Sequence, residues 1–257
     1  MCLIVVAHGV DDRHALVVAA NRDERHARPT MAADWWVDAP EVLGGRDLSA
    51  GGTWLAVNRS GRFAAVTNIH EPGAPAARKS RGLLVTDFLG ESAAGEDCSR
   101  SLGRRGADYG PFNLLLFDGA ALHYVSNRAN PAVLPAGIHG LGNSPLGAHW
   151  PKVRRAVQGL AAALDADDPV EPLFELLTER KCDPADERRY THDLFVVGSE
   201  FGTRSSTVVL MGRDGEVTLV ERRFDAGAKC TGESRFNFRT LPGRCASDGE
   251  READGVT

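Results

Sequence analysis

Short apolar runs separated by polar turns occupy the two ends of the chain, and helically spaced apolar positions occupy its middle. Residues 2–8 and 15–20 are apolar runs of strand length, and the polar residues 9–14 between them predict a β-hairpin. Residues 51–57 and 62–68 predict a second hairpin turning at Asn58-Arg59-Ser60-Gly61, with Pro72 beyond it stopping a regular ladder. A third is predicted over 112–117 and 121–125 by the Asp118-Gly119 turn. Residues 135–145 read as a short strand entering an Asn-containing bend. Leu83, Leu84, Val85, Phe88 and Leu89 recur with helical spacing, predicting a helix over 80–90. A second helix starts at Pro151, where a missing N–H does no harm, and carries Val153, Val157, Leu160 and Leu164; a third covers 172–180. Strands return at 193–197, 201–211 and 217–224, the last pair turning at Asp214-Gly215. Residues 26–50, 73–78 and 181–192 read as loops, and the small, charged residues 243–257 as a disordered tail.

Strands first, helices in the middle and strands last predict two antiparallel sheets packed face to face under outer helices. The expected fold is α+β, a four-layer αββα sandwich formed by a single domain over residues 1–242. Composition fits this, since the 257 residues are 42% hydrophobic and 25% charged. The 30 basic and 35 acidic residues leave a net charge of −5, so nothing marks a nucleic-acid surface. Cys2, Cys98, Cys182, Cys230 and Cys245 are scattered without CxxC spacing, which excludes a structural zinc motif and suggests free thiols in a reducing compartment. No stretch reaches the roughly 20 apolar residues needed to span a bilayer, and the apolar run after Met1 is broken at His8 and Gly9. The expected location is cytoplasmic, with no integral membrane association.

The candidate chemistry begins at Cys2. Initiator Met is removed when the next side chain is small, and Cys qualifies. Cys2 would then carry a thiol and a free α-amine, with a reference pKa of about 8, able to take the thiol proton without a His. In an antiparallel hairpin the end of the second strand lies beside the start of the first. The first hairpin therefore delivers Arg22, Asp23 and Glu24 to the neighbourhood of Cys2. Asn68, Asn143 and Arg204 stand at other strand ends or nearby loops. Each has a bland explanation: the asparagines can satisfy turns, and the charged residues can form surface pairs worth little.

The motifs Asn21-Arg22-Asp23-Glu24, Gly51-Gly52-Thr53-Trp54-Leu55, Thr67-Asn68, Gly140-Leu141-Gly142-Asn143, Trp150-Pro151-Lys152 and Phe201-Gly202-Thr203-Arg204 closely resemble the NRDE family, also called the Transport and Golgi organisation 2 family. They occur in the same order from Met1 to about Phe224. A more distant resemblance is to N-terminal nucleophile hydrolases of the choloylglycine hydrolase and penicillin V acylase type. That resemblance implies Cys2 as nucleophile and its α-amine as base. Asp23 or Glu24 would hold the amine and Arg22 would depress the thiol pKa. Asn68 would donate to an oxyanion, Asn143 would orient the amine or substrate, and Arg204 would complete the charge network. The order Asn21-Arg22-Asp23-Glu24 departs from the Arg-Asn-x-Asp of those hydrolases. Because a one-residue shift in a strand reverses the side-chain face, the choice between Asp23 and Glu24 stays open here.

The resemblance implies an N-terminal-Cys hydrolase or acyltransferase acting on a small-molecule amide or related acyl bond and requiring no cofactor. The alternative it implies is a haem, acyl-lipid or acyl-CoA binding and trafficking protein using the same cleft without turnover. Haem would need an apolar slot with an axial ligand, for which His8, His26, His70 and His139 qualify by residue type alone. Trp35, Trp36 and Trp54 could line an apolar pocket near the cleft.

Overall fold

The computed structural model describes residues 2–74, 77–90, 95–148, 150–183 and 185–241. In chain order the strands are β1 (Leu3–His8), β2 (His14–Arg25), β3 (Thr30–Trp35), β4 (Val42–Asp47), β5 (Leu55–Asn58) and β6 (Phe63–Asn68). Helices α1 (Gly82–Gly90) and α2 (Gly95–Arg105) follow, then β7 (Phe112–Phe117), β8 (Leu122–Ser126), β9 (Ala132–Leu134) and β10 (Gly137–Leu141). Helices α3 (Pro151–Ala163), α4 (Val170–Leu177) and α5 (Arg189–His192) precede β11 (Phe201–Gly212), β12 (Glu216–Phe224) and β13 (Cys230–Arg239).

The strands form two antiparallel sheets. One is six-stranded in the order β10-β1-β2-β11-β12-β13, and the other is seven-stranded, running in order from β3 to β9. Alternation along β1 and β2 explains the layering. Ile4, Val6, Leu16, Val18 and Ala20 meet Leu55, Phe63, Leu115 and Tyr124 between the sheets. Leu3, Val5, Val17 and Ala19 point the other way, onto Val153, Leu160, Leu173 and Phe174 of α3 and α4. On the far side Leu84, Val85, Phe88 and Leu102 of α1 and α2 cover Ala64, Leu114 and Leu116. The result is the expected αββα order, since a strand with apolar residues on both faces needs a covering layer on each.

Several local expectations change. The loop expected over 26–50 contains the β3–β4 hairpin, whose Gly44 and Gly45 obscure the strand pattern. The cluster Asn21-Arg22-Asp23-Glu24 lies within β2, because β11 pairs with β2 as far as Arg25. Residues 193–197 are not a strand, although 193–196 are buried: the Leu194 and Phe195 N–H groups both donate to Glu179 O, at 3.1 and 3.2 Å. The loop expected over 181–192 ends in α5, and α2, β9 and β13 were not anticipated. Met1 and the tail expected at 243–257 lie outside the described residues.

Candidate active site

Cys2 immediately precedes β1, which lies between β10 and β2. The pairs Leu3–Asn21 and Ile4–Leu141, carried on by one and two residues, place Cys2 beside Arg22 and Asn143. The Cys2 backbone nitrogen donates to Asn143 Oδ1 at 2.8 Å, and Asn143 Nδ2 donates to the Asn68 carbonyl at 2.7 Å. One side chain thus ties the start of β1 to the end of β6 in the opposite sheet. A buried relay sets the bend that carries it. Tyr124 OH donates to Asn113 Oδ1 at 2.8 Å, Asn113 Nδ2 donates to Thr67 Oγ1 at 3.1 Å and to Ser144 O at 2.9 Å, and Thr67 Oγ1 donates to Gly142 O at 2.7 Å. With Asn113 and Thr67 each only 1% exposed, these bonds satisfy groups that would otherwise be costly to bury.

Parity along β2 separates the roles of its polar residues. Asn21 faces the helical layer, where Nδ2 donates to Leu177 O and Leu194 O at 2.8 and 2.7 Å and Oδ1 accepts from Ser206 Oγ at 2.6 Å. Asp23, 4% exposed, shares that face, and its Oδ1 accepts from Thr203 Oγ1 at 2.7 Å. Arg22 and Glu24 continue the inter-sheet parity of Ala20. The Arg22 guanidinium lies 4.2 Å over the Trp54 ring, donates to Thr30 Oγ1 at 3.1 Å and stands 3.8 Å from Asp47 Oδ2.

These groups surround a cavity of about 380 Å³ lined by Cys2, Arg22, Asp23, Glu24 and Asn68, together with Arg28, Asp47, Trp54 and Arg81. Two glycines allow its walls to close. A Cβ at Gly45 would collide with the Trp54 ring, and one at Gly52 would collide with the Gly82 backbone at the start of α1. Arg28 donates to Asp47 Oδ2 at 2.7 Å and stands 3.9 Å from Glu24. Burial pulls Arg22 below the ordinary arginine pKa, opposed by the negative charges of a Cys2 thiolate, Glu24 and Asp47.

A fully buried lysine, on α3, lies close to Cys2. Lys152 is 0% exposed, and its Nζ has no hydrogen-bond partner among the described residues. Burial lowers its pKa, opposed by the charges of Asp23, Cys2 and Asp193 in that order. Burial in turn raises the Asp23 carboxyl, opposed in part by Lys152 and by the Thr203 hydroxyl. Burial thus favours the neutral form of each group, and the opposite charge of the other opposes that shift.

This framework agrees with what the chain is similar to. The Transport and Golgi organisation 2 family model matches residues 1–226. The chain belongs to that family. The Transport and Golgi organization protein 2 homolog of Bos taurus is 34% identical over 238 residues, covering 81% of this chain and 86% of that protein. The Homo sapiens homolog is 33% identical over 239 residues with the same coverage, and the Drosophila melanogaster protein is 28% identical over 244 residues, again covering 81% and 86%. Among solved structures, the Caenorhabditis elegans N-acylethanolamine-hydrolyzing acid amidase ortholog superposes with a TM-score of 0.52 at 11% identity, covering 82% of this chain and 92% of that one. At that identity the likeness concerns the fold, which is of the N-terminal nucleophile hydrolase type.

Within this member of the Transport and Golgi organisation 2 family, the residues singled out from sequence fall into two groups. Cys2, Arg22, Asp23, Glu24 and Asn68 share the cavity, and Asn143 bonds the Cys2 nitrogen. Asp23 is the buried member of the acidic pair and Glu24 the more exposed one. Arg204 is at a β-bulge, not a loop, and Nη1 donates to Arg25 O at 2.9 Å and to Arg28 O at 3.2 Å. It pins the turn that presents Arg28 and does not line the cavity.

Trp54 lines that cavity, whereas Trp35 and Trp36 line a separate one of about 310 Å³. Among the described residues no His lines the Cys2 cavity: His26 Nε2 is 3.0 Å from Gly198 O, His139 Nε2 is 2.9 Å from Pro135 O, His8 packs edge-on against Phe117, and His70 lines an adjoining cavity. Cys2, Cys98, Cys182 and Cys230 form no disulfide, and no group of metal-ligating side chains occurs among the described residues. Lys152 was overlooked although its motif was noted. The available signal was its position, since Lys152, Ala156, Leu160 and Ala163 form one buried stripe of α3.

Proposed function

We propose that removal of Met1 makes Cys2 the nucleophile of a hydrolase or acyltransferase acting on a non-peptide amide or related acyl bond. The observation that carries this reading is the Cys2 nitrogen on Asn143 Oδ1 at 2.8 Å, with the Cys2 and Asn68 side chains lining one cavity. The freed α-amine takes the thiol proton as Sγ attacks the carbonyl carbon. Asn68 Nδ2 donates to the oxyanion of the tetrahedral intermediate, an interaction commonly worth roughly 3–4 kcal/mol. Asn143 keeps the amine lone pair directed at the reaction by accepting one of its N–H bonds. The protonated amine then passes its proton to the leaving nitrogen as the C–N bond breaks, leaving a thioester. Water attacks the thioester carbonyl, giving one proton to the amine, and the acid departs as the thiolate recovers that proton. With another acceptor in place of water, the same sequence is acyl transfer.

The fold shared with an N-acylethanolamine-hydrolyzing amidase supports amides as the first substrates to try. The charged cavity wall, with Arg22, Glu24, Arg28 and Asp47, favours this reading over an apolar haem slot. Intact-mass analysis before and after an acylating electrophile tests the proposal. Loss of Met1 and single acylation that disappears in Cys2→Ala are expected. Retention of Met1, or equal labelling of Cys2→Ala, rules the mechanism out. In parallel, a Soret titration at micromolar protein tests haem carriage, which a flat response would count against.

A further inference from the structure

Arg81 stands out among the cations of the cavity because the others have acidic partners. Arg22 and Arg28 share Asp47, at 3.8 and 2.7 Å, and Arg78 and Lys79 share Asp108, at 4.0 and 3.8 Å. Arg81 is half-buried immediately before α1, and the one hydrogen bond of its side chain among the described residues runs from Nη1 to Pro111 O at 3.1 Å. It forms no ion pair among the described residues. It lines both the Cys2 cavity and the adjoining one of about 420 Å³ that contains Asn68 and Asn143. Burial lowers its pKa, opposed first by a Cys2 thiolate and then by the charge of Glu24, which stands beyond ion-pair distance. A half-buried guanidinium with unused donors, lining the same cavity as Cys2, is completed by an anionic partner.

We infer that Arg81 is the anchor for a single carboxylate on the substrate, making the substrate class an N-acyl amino acid or similar anionic amide. This rests on the amidohydrolase reading for the scissile bond, but not for the anion. A planar fork of donors matches a carboxylate bidentately. A polyanion is disfavoured because Asp23, Glu24 and Asp47 line the same cavity, so charge beyond the one Arg81 compensates meets repulsion. A neutral amide would leave Arg81 uncompensated when it displaces solvent.

The test is direct binding by calorimetry to the non-reactive Cys2→Ala protein, using N-lauroylglycine, N-lauroylethanolamine and dodecyl phosphate. N-lauroylglycine is expected to bind at least tenfold more tightly than the ethanolamide. Arg81→Gln in the same background should erase that ratio, and Arg81→Lys should restore part of it; thermal unfolding checks that each variant folds. Equal binding of the first two ligands, no binding of N-lauroylglycine at millimolar concentration, or a ratio that survives Arg81→Gln overturns the inference. Tighter binding of dodecyl phosphate overturns the carboxylate assignment. The Cys2→Ala ligand comparison is decisive even if an Arg81 variant does not fold. Wild-type turnover of the two amides is scored separately: binding with this preference but no hydrolysis defeats the hydrolase reading and leaves the anion site standing.

Discussion

Asn143 accepts the Cys2 backbone N–H at 2.8 Å through Oδ1, and its Nδ2 holds the Asn68 carbonyl at 2.7 Å. The two sheets are thereby joined at the point where the first strand begins. Asn143→Ala would strand both partners and is expected to cost about 1–3 kcal/mol of stability. Turnover should fall at least about 100-fold, because the amine loses its orientation. Asn143→Asp, which keeps the acceptor, should lie between the two. Denaturant unfolding and the rate of Cys2 alkylation check this, and wild-type alkylation in Asn143→Ala would defeat it.

Under the proposed mechanism, substitution of Asn68 should separate catalysis from stability. Its side chain is exposed and lines the cavity. Asn68→Ala is expected to change unfolding free energy by less than about 0.5 kcal/mol. The same variant should lower kcat about 10²–10³-fold with a smaller effect on KM. A parallel loss of stability and activity would assign Asn68 to the framework.

Lys152 and Asp23 are expected to be coupled. Each group opposes the shift that burial imposes on the other, so Lys152→Met and Asp23→Asn should each destabilise the fold, while the double variant should cost less than their sum. The coupling should exceed about 0.5 kcal/mol in a double-mutant cycle from chemical denaturation. Simple additivity would show that the two charges do not compensate each other.

Glu221, 2% exposed, accepts from the Ala33 N–H at 2.8 Å. Burial raises its pKa, with that N–H and the charges of Arg223 and Arg22 opposing the shift. The folded chain therefore holds this proton more tightly than the unfolded chain. Wild-type stability relative to Glu221→Gln should fall as pH rises from the ordinary glutamate value of about 4.3 through the raised folded value, then level off. Thermal or denaturant unfolding of both proteins across that range tests it. A difference that is constant, or that grows in favour of the wild type, would contradict the shift.

Much of the framework was legible because its signals are local. The hairpin over residues 2–20 announces itself in two apolar runs around a polar turn, and α3 in the spacing of Val153, Val157 and Leu160. Hairpin geometry alone also brought Arg22 beside Cys2. The β3–β4 hairpin was not legible, since glycines at 44 and 45 hide a strand whose bare Cα atoms make room for neighbours such as Trp54.

By itself, then, the sequence determined the two-sheet layering, the family and part of the polar set around Cys2, namely Arg22, Asp23, Glu24, Asn68 and Asn143. Tertiary structure decided which face each one occupies and what it touches. Asp23, not Glu24, is the buried carboxylate because Thr203, 180 positions away, pairs with it across β11. Arg204 serves a turn because the β-bulge beside Thr203 displaces it. Lys152 is concealed in the amphipathic pattern of α3 and comes near Asp23 and Cys2 only when that helix settles under β1 and β2. A pattern of period two or 3.6 specifies that a residue is inward, but the charge it meets there depends on strands and helices brought together from distant parts of the chain.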